Sequence, residues 1–121
     1  MEPPTADRHI LLVEDDGDLV SVLVQVLEQK GYRVSAASSR AEARALLRKG
    51  GVDLIVADSV LRGGNGEDLA KAAVQRGVPV ILISGEPDRI MRLSGGPIPF
   101  LQKPFGSAAL LELVAQSMAP R

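Results

Sequence analysis

Five short runs of consecutive apolar residues punctuate the chain: HILLV (9 to 13), YRVSAA (32 to 37), DLIVA (53 to 57), VPVILIS (78 to 84) and IPFL (98 to 101). Their apolarity is continuous rather than alternating, which predicts strands covered on both faces, as in a parallel sheet. Between them the apolar period lengthens. Leu19, Val22, Leu23, Val26 and Leu27 recur at helical spacing, with Gly31 placed to stop the helix in a left-handed cap. Ser39 and Glu42 form the S-x-x-E signature of a helix start, and Gly50 and Gly51 close that helix. A third helix is predicted from about Glu67 to Arg76, before Gly77, and a last one from Ser107 to about Met118, with Leu110, Leu111, Leu113 and Val114 on its apolar face. Glycines in GGNG (63 to 66) predict a turn into the third helix. EPDRIMRLSGGP (86 to 97) is the exception, because Ser94, Gly95, Gly96 and Pro97 leave room for at most two turns; a short, mobile or missing helix is expected there.

Five βα units with right-handed crossovers make an α/β three-layer sandwich around a five-stranded parallel sheet, most simply in the doubly wound order 2-1-3-4-5. Such sheets bind ligands beyond the carboxyl ends of their strands, where the strand order reverses. A chain of 121 residues is one domain, expected over residues 8 to 118 behind a loose tail, residues 1 to 7. It has no cysteine, which removes thiol nucleophiles and thiolate zinc sites and suits a reducing cytoplasm. With 14 basic against 15 acidic residues and 2% aromatic content, no footprint for nucleic acid or a membrane surface is expected. MEPPTADR lacks the basic and apolar regions of a signal peptide, and no apolar run reaches the roughly 20 residues of a membrane span.

The chemistry gathers at the predicted carboxyl edge. Glu14, Asp15 and Asp16 follow the first strand, Asp58 the third, Ser84 the fourth and Lys103 the fifth. Two carboxylates about 4 Å apart repel by roughly 4 kcal/mol at an effective dielectric near 20, so such a cluster calls for a cation, protons or open water. A few carboxylates with waters suit Mg²⁺, which shares its shell readily with phosphate oxygens. With the metal bound, Asp58 is a candidate nucleophile toward phosphorus; Ser84 would hydrogen-bond one phosphoryl oxygen and Lys103 would charge-pair another. Asp16 and Asp18 are better placed to cap and start the first helix than to hold metal. His9, the sole histidine, stands at the start of the first strand, roughly 15 Å from that edge, and reads as structural. That removes a Ser-His-Asp triad, and any histidine phosphodonor must come from a partner.

The stretches ILLVEDD, DLIVADSVLRGGNG, VPVILISG and FLQKPF follow one another as they do in the receiver domains of two-component response regulators, and over residues 8 to 118 the chain resembles that family. The resemblance implies a flavodoxin-like receiver fold and a phosphoryl group taken from a sensor histidine kinase onto Asp58. It matches Glu14 and Asp15 to the family's acidic pair and Val60 to the residue whose carbonyl completes the metal shell. Ser84 matches the hydroxyl residue, Lys103 the lysine whose bond to Pro104 is typically cis, and Phe100 the aromatic that turns inward on switching. Phe100 has no hydroxyl, and Arg62 stands where the family often has proline. The downstream protein target is open, with the face near Phe100 and the last helix as its expected dock. On this reading the domain is no enzyme beyond its own phosphorylation and dephosphorylation. Two alternatives stand beside it: a metal-dependent phosphatase or nuclease-like site, which usually wants an acid where Val60 stands, and a binding module of the same fold that takes no phosphate.

Overall fold

The computed structural model describes residues 8 to 61, 64 to 86 and 98 to 118. The expected short helix between the fourth and fifth strands therefore lies almost wholly outside the described residues, as does Arg62. A five-stranded sheet is built from β1 (His9–Val13), β2 (Arg33–Ala37), β3 (Leu54–Asp58), β6 (Val80–Ser84) and β7 (Phe100–Gln102), all parallel, in the order β2-β1-β3-β6-β7. Counted along the chain, the five sheet strands lie 2-1-3-4-5, as expected. Two further strands, β4 (Val60–Leu61) and β5 (Gly64–Asn65), pair antiparallel in a hairpin beyond β3. The glycines of GGNG predict only a turn there.

Among the described residues four helices cover the sheet: α1 (Gly17–Gln29), α2 (Arg40–Lys49), α3 (Gly66–Gln75) and α4 (Ser107–Ser117). Successive residues of a strand point to opposite faces, so β1 sends Leu11 and Val13 one way and Ile10 and Leu12 the other. The first pair packs with Ala43 and Leu47 of α2 and with Leu69, Ala70 and Ala73 of α3. The second packs with Leu23 and Leu27 of α1 and with Leu110 and Val114 of α4. Every residue of β3 and β6 is buried, which is why those segments read as unbroken apolar runs.

The helix ends follow the expected chemistry with one correction. Asp16 caps α1 by accepting from the backbone N–H groups of Asp18 (3.1 Å) and Leu19 (3.2 Å). Gly31, at φ 102°, ends α1 in a Schellman turn: its N–H reaches the Glu28 carbonyl, and that of Tyr32 reaches Leu27. Ser39 caps α2 by accepting from the Glu42 N–H at 3.2 Å, but the capping box is only half formed. The Glu42 carboxylate turns to the Ser38 hydroxyl, 2.9 Å away.

Candidate functional site

The carboxyl ends of β1, β3, β6 and β7 bring the candidate residues to one edge of the sheet. Glu14 follows β1 directly, and its N–H still bonds to Ala37 at the end of β2 (3.1 Å). This last rung keeps Glu14 in register, and its side chain turns into the protein, leaving the residue only 2% exposed. Asp58 is itself the last residue of β3, paired with Ile83, one position later than the strand end read from sequence. Ser84 closes β6, fully buried, and its carbonyl accepts from the Lys103 N–H at 2.8 Å, so the residue after β7 is fastened beside it. The Lys103–Pro104 bond is cis.

Lys103 reaches across these strand ends. Its Nζ donates to Asp58 Oδ2 at 2.7 Å and lies 3.5 Å from Glu14 Oε2. The other Asp58 oxygen, Oδ1, accepts from the Val60 N–H at 2.9 Å, a turn that fixes the carboxylate against its own loop. Glu14 Oε1 accepts from the Asp16 N–H at 3.3 Å, whereas Glu14 Oε2 is buried without a hydrogen bond. The Ser84 hydroxyl oxygen accepts from the Glu86 N–H at 3.3 Å, leaving its own proton to donate elsewhere.

Among the described residues one ammonium thus faces two buried carboxylates, so positive charge is outnumbered there. The imbalance shows in the titration of Glu14: burial first, and then the neighbouring Asp58 carboxylate, push it up to about 7, against the pull of Lys103 and the Asp16 amide. Lys103 moves up as well; partial burial opposes its charge, but the bonds and fields of Asp58 and Glu14 outweigh it.

The structure thus joins Glu14, Asp58 and Lys103 in direct contact, with Ser84 on the adjacent strand end. Asp15 stays exposed, and the described residues contain no group of three metal-ligating side chains. Val60 is 43% exposed at the rim. Phe100 opens β7 opposite Leu82 and is half-buried against the core face that α2 and α3 cover. His9 lies at the far end of the sheet, as expected. The hard, crowded carboxylates and the orphaned Glu14 oxygen fit a divalent cation that retains several waters, as Mg²⁺ does. Beside Lys103, an apolar groove of about 460 Å³ runs between Leu19, Val22 and Val26 of α1 and the Pro104–Phe105 turn. Sequence reasoning missed two features of the site: the β4–β5 hairpin at its rim, and the amide of Asp16 that anchors Glu14.

Comparison with known proteins agrees with this geometry. The response regulator receiver domain profile matches residues 10 to 115, and the chain belongs to that family. It is 38% identical over 116 residues to the transcriptional regulatory protein CpxR of Escherichia coli strain K12, covering 93% of this chain and 48% of CpxR. It is 33% identical over 115 residues to GlrR of the same strain, also a transcriptional regulatory protein, covering 91% of this chain and 26% of GlrR. The chain therefore spans about half the length of one curated relative and a quarter of the other. Among solved structures, the non-phosphorylated HemR receiver domain from Leptospira biflexa superposes with a TM-score of 0.79 at 34% identity, over 94% of this chain and 96% of that one. Receiver domains are the signalling modules of two-component systems, and this chain is a receiver domain of that kind. None of these relatives points to a phosphatase or a nuclease.

Proposed function

We propose that Asp58 is the phosphoacceptor, taking its phosphoryl group from the phosphohistidine of a sensor kinase, with Mg²⁺ held by Glu14, Asp15, Asp58 and the Val60 carbonyl. The observation that carries this reading is the 2.7 Å contact between Lys103 Nζ and Asp58 Oδ2 beside the buried, underpaired Glu14. An ammonium so placed can pass from the carboxylate to an incoming phosphoryl oxygen without leaving the pocket. A carboxylate oxygen of Asp58 forms the new P–O bond while the P–N bond to the donor imidazole breaks; the electron pair stays on that nitrogen, and the imidazole leaves neutral with the proton its other ring nitrogen already carries. Mg²⁺, when bound, supplies charge neutralisation for the carboxylates and the phosphoryl oxygens. The Val60 N–H holds Asp58 in one orientation, and the Ser84 hydroxyl, its oxygen occupied by the Glu86 amide, donates its proton to a second phosphoryl oxygen. Water later hydrolyses the acyl phosphate to inorganic phosphate, so the domain catalyses only its own modification and its reversal.

Switching is read as an inward turn of Phe100 coupled to Ser84, which alters the face shared by β7 and α4 and so the grip on a downstream protein. A kinase domain that delivers phosphohistidine to Asp58 has to cover this edge, and the apolar groove along α1 is the adjoining surface that gains from being covered. No nucleic-acid or membrane contact is assigned to this domain. No helix of the described residues is long and apolar enough to cross a membrane; the cytoplasmic site of action is read from the receiver family. Incubation with acetyl phosphate and Mg²⁺ should add one phosphoryl group by intact mass; Asp58→Asn or chelation of the metal should abolish it. A wild-type protein that stays unmodified, or an Asp58→Asn protein that is still modified, would overturn the reading.

A further inference from the structure

We propose that Gly66 is a positioning residue for the phosphoacceptor: because it has no side chain, the start of α3 rests directly on the peptide of Asp58 and holds that carboxylate against Lys103. The proposal rests on the reading of Asp58 as phosphoacceptor. A Cβ built on Gly66 would collide with the Asp58 carbonyl oxygen, and would lie 3.1 Å from the Asp58 carbonyl carbon and 3.2 Å from the Ser59 Cα. All three are backbone atoms of the strand end that carries Asp58, so no flexible side chain can absorb the clash. Neither partner is free to retreat. Ser59 N–H bonds to Ile83 at 2.8 Å, Gly66 N–H bonds to the Ser59 carbonyl at 3.1 Å, and Leu69, Ala70 and Ala73 lock α3 into the core at 0% exposure. A methyl group at position 66 therefore displaces either the helix start or the strand end, and both routes run through the bonded pair of residues that follows Asp58 Cα. Misplacement of a reacting group by on the order of 1 Å costs roughly 100-fold in rate.

Gly77 supplies the control. It sits just past α3 at φ 75° with nothing within 4 Å of a Cβ, so Gly77→Ala strains the backbone without touching the site. Wild type, Gly66→Ala and Gly77→Ala are compared for the rate of acetyl phosphate labelling per folded molecule, and for the carboxyl ¹³C resonance of Asp58, which reports its pairing with Lys103. The expected result is labelling slowed roughly 10- to 100-fold in Gly66→Ala, with the Asp58 resonance moved toward that of a Lys103→Ala protein, while Gly77→Ala labels like wild type. If Gly66→Ala is incompletely folded, all three are assayed in trimethylamine N-oxide, which favours the compact state. Equal labelling of folded Gly66→Ala and wild type, or a Gly66→Ala chain that stays unfolded in the osmolyte, overturns the positioning role. Failure of wild type to label instead overturns the reading of Asp58 itself.

Discussion

The two ends of the parallel sheet treat their polar residues in opposite ways. At the amino-terminal end, His9 Nδ1 reaches the Gly51 carbonyl at 3.2 Å, which fixes the ring proton there, and Nε2 meets the Ser35 hydroxyl at 2.7 Å. The His9 N–H donates to Asp53 Oδ2 at 2.8 Å. Each group finds a partner of complementary sign, and β1, β2 and the loop before β3 are tied together. At the carboxyl-terminal end, two carboxylates crowd one ammonium and a buried Glu14 oxygen is left without a hydrogen bond. A fold that can satisfy its polar groups at one edge and leaves them underpaired at the other holds a site rather than a brace. Burial without full pairing raises energy unless a ligand completes the set.

The sharpest way to break this contrast is to remove Lys103, the cation that the described residues place against both carboxylates. Lys103→Ala should slow phosphoryl acceptance roughly 100- to 1000-fold, as loss of a charge-stabilising donor does, and should lower metal-free stability at pH 8 by roughly 1–3 kcal/mol because two buried carboxylates lose their partner. Labelling kinetics and denaturant melts check both. Glu14→Gln should act in opposite directions on the two quantities: weaker Mg²⁺ binding, by roughly tenfold or more, yet a metal-free domain more stable than wild type at pH 8, since a repelled charge is gone. Calorimetric titration and melts would separate these effects, and a Glu14→Gln protein less stable than wild type at pH 8 would contradict the crowding argument.

The same carboxyl gives a pH signature. In the folded, metal-free domain Glu14 keeps its proton to about pH 7, whereas the unfolded chain releases it near 4.5. Between these values the folded state binds more protons, so stability should fall as pH rises through that window. Melts in chelator should show the decline; Glu14→Gln should flatten it. The smallest effect belongs to the other end: His9→Ala should cost about 1 kcal/mol through its lost hydrogen bonds and leave the labelling rate per folded molecule unchanged.

The strands and helices were legible because a sheet buried on both faces writes itself as unbroken apolar runs, and Asp16, Gly31 and Ser39 mark helix ends by local chemistry alone. Glu14, Asp58, Ser84 and Lys103 were legible as a set because parallel topology forces all carboxyl ends to one side. What stayed hidden depends on contacts between distant backbones. Nothing local in GGNG distinguishes a loose turn from a hairpin pairing Val60–Leu61 with Gly64–Asn65, or shows that Gly66 is pressed against Asp58. Asp15 and Glu14 look equivalent in sequence, yet one is exposed and the other buried, because the Ala37 rung turns Glu14 inward and the chain then leaves the sheet.

The most direct test of the central contrast uses Mn²⁺ as a paramagnetic stand-in for Mg²⁺, since both favour carboxylate and carbonyl oxygen. Added in small amounts to isotopically labelled protein, it should erase the amide signals of Glu14, Asp15 and Asp58 to Val60 first, and leave those of His9, Ser35 and Asp53 intact. Uniform broadening over the surface, or loss beginning at the His9 end, would show that the underpaired edge is no cation site.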